Sequence, residues 1–88
     1  MSDRMTIARL RERCENLNRR MEQRGSNVRY EVGRRYDYTA LDRCRLRPNG
    51  ETYPIGDPVR VGTKTEIGEL LYAMMVVLDD ALQTEIYD

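Results

Sequence analysis

Few residues of this chain could do chemistry, and the most versatile of them is missing: none of its 88 positions is histidine. Histidine is the usual general base, so its absence removes serine–histidine and cysteine–histidine nucleophiles and most metal–water mechanisms. Cys14 and Cys44 lie thirty positions apart with no ligand-like spacing, and a zinc ion would need carboxylates for half its shell. They read as two reduced, buried thiols packing as small hydrophobes, with a bridge as the alternative. Gly62-Thr63-Lys64-Thr65 has the outline of a phosphate loop but lacks its upstream glycine. Asp79 and Asp80 are neighbours on a helix and point about 100° apart, a poor geometry for sharing a proton or an ion. These absences predict a protein that is not an enzyme and needs neither metal nor cofactor.

What remains is the chemistry of binding. Residues 30–48, YEVGRRYDYTALDRCRLRP, hold five arginines and three tyrosines. Residues 1–48 carry thirteen arginines against seven acids, a net of +6, whereas residues 49–88 carry Arg60 and Lys64 against eight acids, a net of −6. Such a split implies either an acidic partner for the basic half or mutual attraction of the halves in the fold. Arginine also outnumbers lysine fourteen to one, which favours bidentate and stacking contacts.

The elements that must position these residues follow from periodicity. Ile7, Leu10, Cys14, Leu17 and Met21 recur at steps of three and four, predicting a helix over about 6–24, with Thr6 or Ser2 as its cap and Gly25 as its stop. Arg9, Arg13, Arg20 and Arg24 fall on one flank of that stripe, either covering the edges of a docked helix or facing a phosphate backbone. Val28, Tyr30 and Val32 alternate with Arg29 and Glu31 as a half-buried strand, and Gly33-Arg34-Arg35 reads as a turn or bulge.

A second strand runs from Tyr36 to Arg47. If Tyr38, Ala40, Cys44 and Leu46 face inward, then Arg43, Arg45 and Arg47 line up outward; that phase exposes Leu41 and buries Asp42, so it calls for a bulge. After the Pro48-Asn49-Gly50 turn, Thr52 to Ile55 can form a third strand, which Pro54 places at an edge, and Val59 to Val61 can add a few extended residues.

Thr63-Lys64-Thr65-Glu66 fits a capping box and opens a helix over about 64–83. Its core face is Ile67, Leu70, Leu71, Met74, Val77, Leu78, Ala81 and Leu82. Tyr72 and Val76 project from the far side among Glu69, Asp79 and Gln83, with Met75 at the border. An apolar pair amid charges suits a contact with a protein partner or a second copy.

These elements predict one α+β domain over residues 1–88: a two-layer α-β-β-(β)-α fold whose small antiparallel sheet, about 27–61, has both helices packed on one face. The open face would then carry Arg29, Arg43, Arg45 and Arg47, with Tyr36 nearby. The N-terminus has frequent charges and no apolar run, so neither a signal peptide nor a membrane anchor is expected, and the chain reads as cytoplasmic.

Two resemblances add to this reading. The element order resembles the double-stranded-RNA-binding domain in topology alone, because the lysine-rich run that family places on its final helix is replaced by Lys64 followed by Glu66 and Glu69. The pattern YEVGRRYDYTALDR followed by VGTKTEIGELLYAM resembles small α+β accessory proteins of prophages and mobile elements. That resemblance implies a non-catalytic inhibitor, of the anti-CRISPR kind for example, which covers a host protein's surface. The expected function is therefore a protein-binding module acting through Tyr72, Met75, Val76 and Asp79. The alternative is a nucleic-acid binder using the arginines and Tyr36.

Overall fold

The computed structural model describes the backbone of residues 4–87 and the side chains of residues 4–80. The chain forms α1 (Ile7–Gln23), β1 (Val28–Arg35), β2 (Tyr38–Leu46), β3 (Thr52–Pro54), β4 (Arg60–Gly62) and α2 (Lys64–Tyr87). Both helices start on local sequence signals, and α1 also stops on one. The Thr6 hydroxyl accepts from the Arg9 N–H at 3.2 Å, which satisfies one of the free donors of α1. At the other end Gly25, at φ 75°, lets Ser26 N–H return to the Met21 carbonyl and Gly25 N–H to that of Glu22, a Schellman stop. The box at α2 closes in both directions: Glu66 N–H donates to the Thr63 hydroxyl, and the Glu66 carboxylate accepts from Thr63 N–H. Ser2, the other cap proposed for α1, lies outside the described residues.

β1 and β2 form an antiparallel hairpin in unbroken register from Val28↔Arg45 to Arg35↔Tyr38. The turn therefore falls at Tyr36-Asp37, three residues beyond the expected Gly33, and the ladder has no bulge. Gly33 sits mid-ladder opposite Ala40, where a Cβ would stand 3.0 Å from an Asp42 carboxylate oxygen. Its bareness makes room for the Arg35–Asp42 ion pair (3.1 Å) that crosses over it. β3 and β4 both pair antiparallel with the far side of β2, β3 beside Cys44 to Leu46 and β4 beside Thr39 to Leu41. β2 is thus the central strand, and β3 the edge piece that Pro54 foretold.

The phase expected for β2 is inverted. Side chains directly opposite one another in an antiparallel pair share a face. Val32 pairs with Leu41 and Tyr30 with Arg43, and Tyr30 and Val32 pack against the core. Leu41 therefore points toward the helices and is fully buried among Leu10, Cys14, Leu17, Ile67 and Leu71. Cys44, Ala40, Leu46 and Tyr38 belong to the opposite face. Cys44 and Ala40 are still buried there, because the central strand is covered laterally by both neighbours.

The two helices lie side by side on the Leu41 face and run in the same direction. Near their starts the tip of Met5 fills the space a Cβ on Gly68 would need. The Arg13 guanidinium, about two turns further along α1, donates to the carbonyl of the same Gly68 (2.7 Å), and farther along Arg20 pairs with Asp79 (2.8 Å). α1 also closes the free edge of β1: the Asn18 amide accepts from Tyr30 N–H (2.7 Å) and donates to the Tyr30 carbonyl (2.9 Å). Of the expected core face of α2, Ile67 and Leu71 are buried and Leu70, Met74 and Leu78 half-buried, while Ala81 and Leu82 lie outside the described side chains. Val77 is a correction, at 67% exposed. It lies one residue past the arc that α1 and the sheet cover.

Candidate functional site

The second half of the described α2 has apolar side chains on every side. Ala73 to Leu78 are six consecutive apolar residues, and only Met74, Met75 and Leu78 turn even partly inward. At 100° per residue, Tyr72, Val76, Ala73 and Val77 follow one another around about 140° of the outer surface. Tyr72 is 57% and Val76 37% exposed. The far-side placement of Tyr72 and Val76 read from the sequence matches this geometry, and Ala73 and Val77 widen the patch. On one border, Met75 and Tyr72 meet Arg9, Glu12 and Asn16 of α1 across a shallow hollow. On the other, Ala73, Met74, Val77 and Leu78 form one wall of an apolar groove of about 480 Å³. Leu17, Met21 and Tyr30 form its other wall, with Arg24 at the rim. Asp79, proposed for the partner contact, is half-buried and engaged by Arg20, so it serves the helix pair.

The arginines do not form one surface. Arg29 pairs with Cys44 and so lies on the face away from the helices, where its guanidinium donates to the Ser26 and Val28 carbonyls. Arg43, Arg45 and Arg47 take the parity of Leu41 and lie on the helix-facing side, past the end of the core, all exposed. Arg47 stacks over the Tyr53 ring at 4.7 Å, and Tyr53 pairs with Arg45. The open face instead presents mixed charge: Arg35 with Asp42, and Glu31 accepting a hydrogen bond from Thr52. The arginine ladder expected on that face is therefore corrected to the other side of the sheet.

Along α1, the basic flank turns toward α2. Arg13 and Arg20 are used there, Arg20 also donating to the Asn16 carbonyl, while Arg9 and Arg24 border the hollow and the groove. Tyr36 stands alone at the hairpin tip, 94% exposed, with a left-handed φ of 57°.

The two thiols are free and buried, on opposite faces of the sheet. Burial, reinforced by Glu31 and Glu15, pushes the Cys14 thiol up to about 12; burial and a hydrogen bond with Glu31 push Cys44 up to about 11. Both are protonated and unreactive near neutral pH. The Glu66 carboxyl is held below its usual range by Arg60 (2.9 Å) and by the Thr63 N–H. Among the described residues no group of three or more cysteine, aspartate or glutamate side chains could hold a metal ion, and no helix is long and apolar enough to cross a membrane.

Sequence reasoning missed a second gathering of cations. Arg4, Arg11, Arg34 and Lys64 surround a depression at the starts of both helices. They are scattered in sequence, and only the parallel helices and the late turn of the hairpin bring them together. Fold and surfaces together define a small two-layer α+β domain with an apolar helix face and two separate basic regions. Comparison with protein-family models, curated proteins and solved structures finds no match.

Proposed function

We propose that this domain is a non-catalytic protein-binding module whose contact surface is the outer face of α2 from Tyr72 to Val77, continued into the adjoining groove. The supporting observation is the exposed apolar arc of Tyr72, Ala73, Val76 and Val77, uninterrupted by charge between Glu69 and Asp79. A helix that is apolar on all sides belongs in a covered environment, and tyrosine and methionine are enriched in interface centres. Charge indicates the partner's chemistry. Tyr30 lines the groove, and its cross-strand neighbour Arg43 begins the row continued by Arg45 and Arg47. An apolar anchor bordered by carboxylates is complementary to that surface. Occlusion of a host protein, the mode implied by the likeness to prophage accessory proteins, is the cellular role we assign to such a contact.

The test is capture of partners from a lysate, with and without nuclease, by wild type and by Val77→Glu and Tyr72→Glu. Both side chains are exposed, so the variants keep the wild-type circular dichroism and lose the partner. Capture of the same partner by folded variants refutes the surface.

Arg43, Arg45 and Arg47 give a second reading. They share a face, have no carboxylate partner among the described residues, and include the Arg47–Tyr53 stack. Nucleic-acid binding there would weaken at least about tenfold between about 50 and 200 mM salt. Absence of binding at low salt removes it.

A further inference from the structure

We propose that the outer edge of β1 between Val32 and Arg34 takes up an extended acidic peptide of a partner protein as an added strand. The site shares no residue with the α2 face and does not rest on that reading. Asn18 bonds both the N–H and the C=O of Tyr30, so those groups point outward, away from β2. The ladder alternates with period two, and the backbone groups of Val32 and Arg34 therefore point the same way. Among the described residues the Val32 N–H and C=O and the Arg34 N–H have no hydrogen-bond partner, while the Arg34 C=O accepts from the Arg35 guanidinium.

The helix that covers Tyr30 leaves these groups open. Arg11 precedes Asn18 by seven residues, so it sits on the same side of α1, about 10 Å back along the axis. That distance spans about three residues of strand. Where Asn18 fills the edge, Arg11 makes no bond to β1, and a depression of about 400 Å³ lies between them. Ile7, Arg11, Val32, Gly33 and Arg34 line it, and Lys64 reaches it from the start of α2. A strand edge with unpaired groups is a template for another strand, and main-chain bonds supply the affinity of such an addition.

Register and charge define the occupant. In an antiparallel strand one residue exchanges both bonds with Val32, and the residue two before it lies opposite Arg34. Both side chains fall on the helix side of the sheet, because Val32 pairs with Leu41 and Arg34 shares its parity. The first meets Val32 and Ile7 and is best apolar; the second meets Arg34 and Arg11 and is best a carboxylate. Arg11, Arg34 and Lys64 have no ion-pair partner among the described residues, and Asp37 is the one acid lining the depression. A second copy of β1 would bring its own Arg11 and Arg34 against these, so like charge disfavours self-pairing. Glutamate, any residue, then a β-branched apolar residue is the pattern that fits.

The test is amide-resolved NMR of the full chain at low salt with a capped heptapeptide of threonines carrying glutamate third and valine fifth. In the free protein Tyr30 N–H, held by Asn18, exchanges with deuterium more slowly than the open Val32 and Arg34 N–H groups. The peptide is expected to give saturable shifts at Val32 and Arg34 and to slow the exchange of both amides. A copy methylated on the valine nitrogen loses the bond to the Val32 C=O, and a copy with lysine for glutamate meets like charge; neither binds measurably. Arg11→Gln and Arg34→Gln, both at exposed side chains, each weaken the peptide by about tenfold, the usual effect of losing one hydrogen bond to a charged group. The proposal is overturned if the parent peptide does not saturate, if the methylated copy binds as the parent does, or if both arginine variants bind as wild type does. Protection of Val32 and Arg34 that grows with protein concentration alone assigns the edge to a second copy and overturns it too.

Discussion

Replacing Leu41 by alanine tests the parity of β2, on which the position of every arginine in that strand depends. Leu41 is fully buried where α1, α2 and the sheet meet, touched by Leu10, Leu17, Ile67 and Leu71. Removing its branched end there should cost about 2–5 kcal/mol, the range for buried leucines whose surroundings cannot collapse. A domain of this length holds about 4–13 kcal/mol at the usual stability per residue. Leu41→Ala therefore removes from about a sixth of the total to all of it. With a urea slope near 1 kcal/mol/M for so small a chain, the midpoint falls by about 2 M or more. Leu46 supplies the control, because it is half-buried on the other face, away from the helices; Leu46→Ala should cost about 1 kcal/mol. Equilibrium urea unfolding followed by circular dichroism reads both. Equal losses, or a larger loss at Leu46, would put Cys44 and Leu46 against the helices and return Arg43, Arg45 and Arg47 to the open face, against the present assignment.

Two further outcomes test local chemistry. Both thiols are raised on folding, from an ordinary value of 9.0 to about 12 for Cys14 and about 11 for Cys44, so the unfolded chain loses these protons first. Their contribution to stability is complete below about pH 9 and is lost as pH rises toward the folded values, with Cys14 accounting for at most about 4 kcal/mol. Urea unfolding of wild type and Cys14→Ala at pH 8 and 11 should show the smaller alkaline loss in the variant, and parallel losses would contradict the burial argument. At the hairpin tip, Tyr36 adopts a left-handed φ that asparagine tolerates better, and its ring is almost wholly exposed. Tyr36→Asn should raise stability by about 0.5–1 kcal/mol in thermal or urea melts, while a decrease would show that the ring contributes to the fold.

The helices were legible because their signals are local. Thr6, Gly25 and the Thr63–Glu66 box act within a few residues of the ends they fix, and the Leu10, Cys14, Leu17 stripe has a single apolar side. β2 offered no such single side. It has apolar residues at both parities, since a central strand is shielded laterally on either face, and the greater number at Tyr38, Ala40, Cys44 and Leu46 outweighed the one long side chain, Leu41, that fills the core. In α2 the unbroken run from Ala73 to Leu78 leaves periodicity nothing to choose between, so Val77 passed for core while Tyr72 and Val76, set among charges, were placed correctly. The cations at the helix starts were invisible for another reason: Arg4, Arg11, Arg34 and Lys64 belong together only in space.

The side-by-side helices also set the order in which the chain can become a protein during its synthesis. Hairpin partners are three to seventeen residues apart, so β1 and β2 can pair soon after they appear. The bonds that join the helices span 55 and 59 residues, Arg13 to Gly68 and Arg20 to Asp79. At a translation rate of about 5–20 residues per second, α1 waits about 3–12 s for its companion. Throughout that interval Leu10, Cys14, Leu17 and Leu41 lack the Ile67 and Leu71 side chains that complete their enclosure. A nascent chain halted at Gly62 would present that unfinished surface to chaperones or to other chains, and the emergence of α2 is the step that withdraws it.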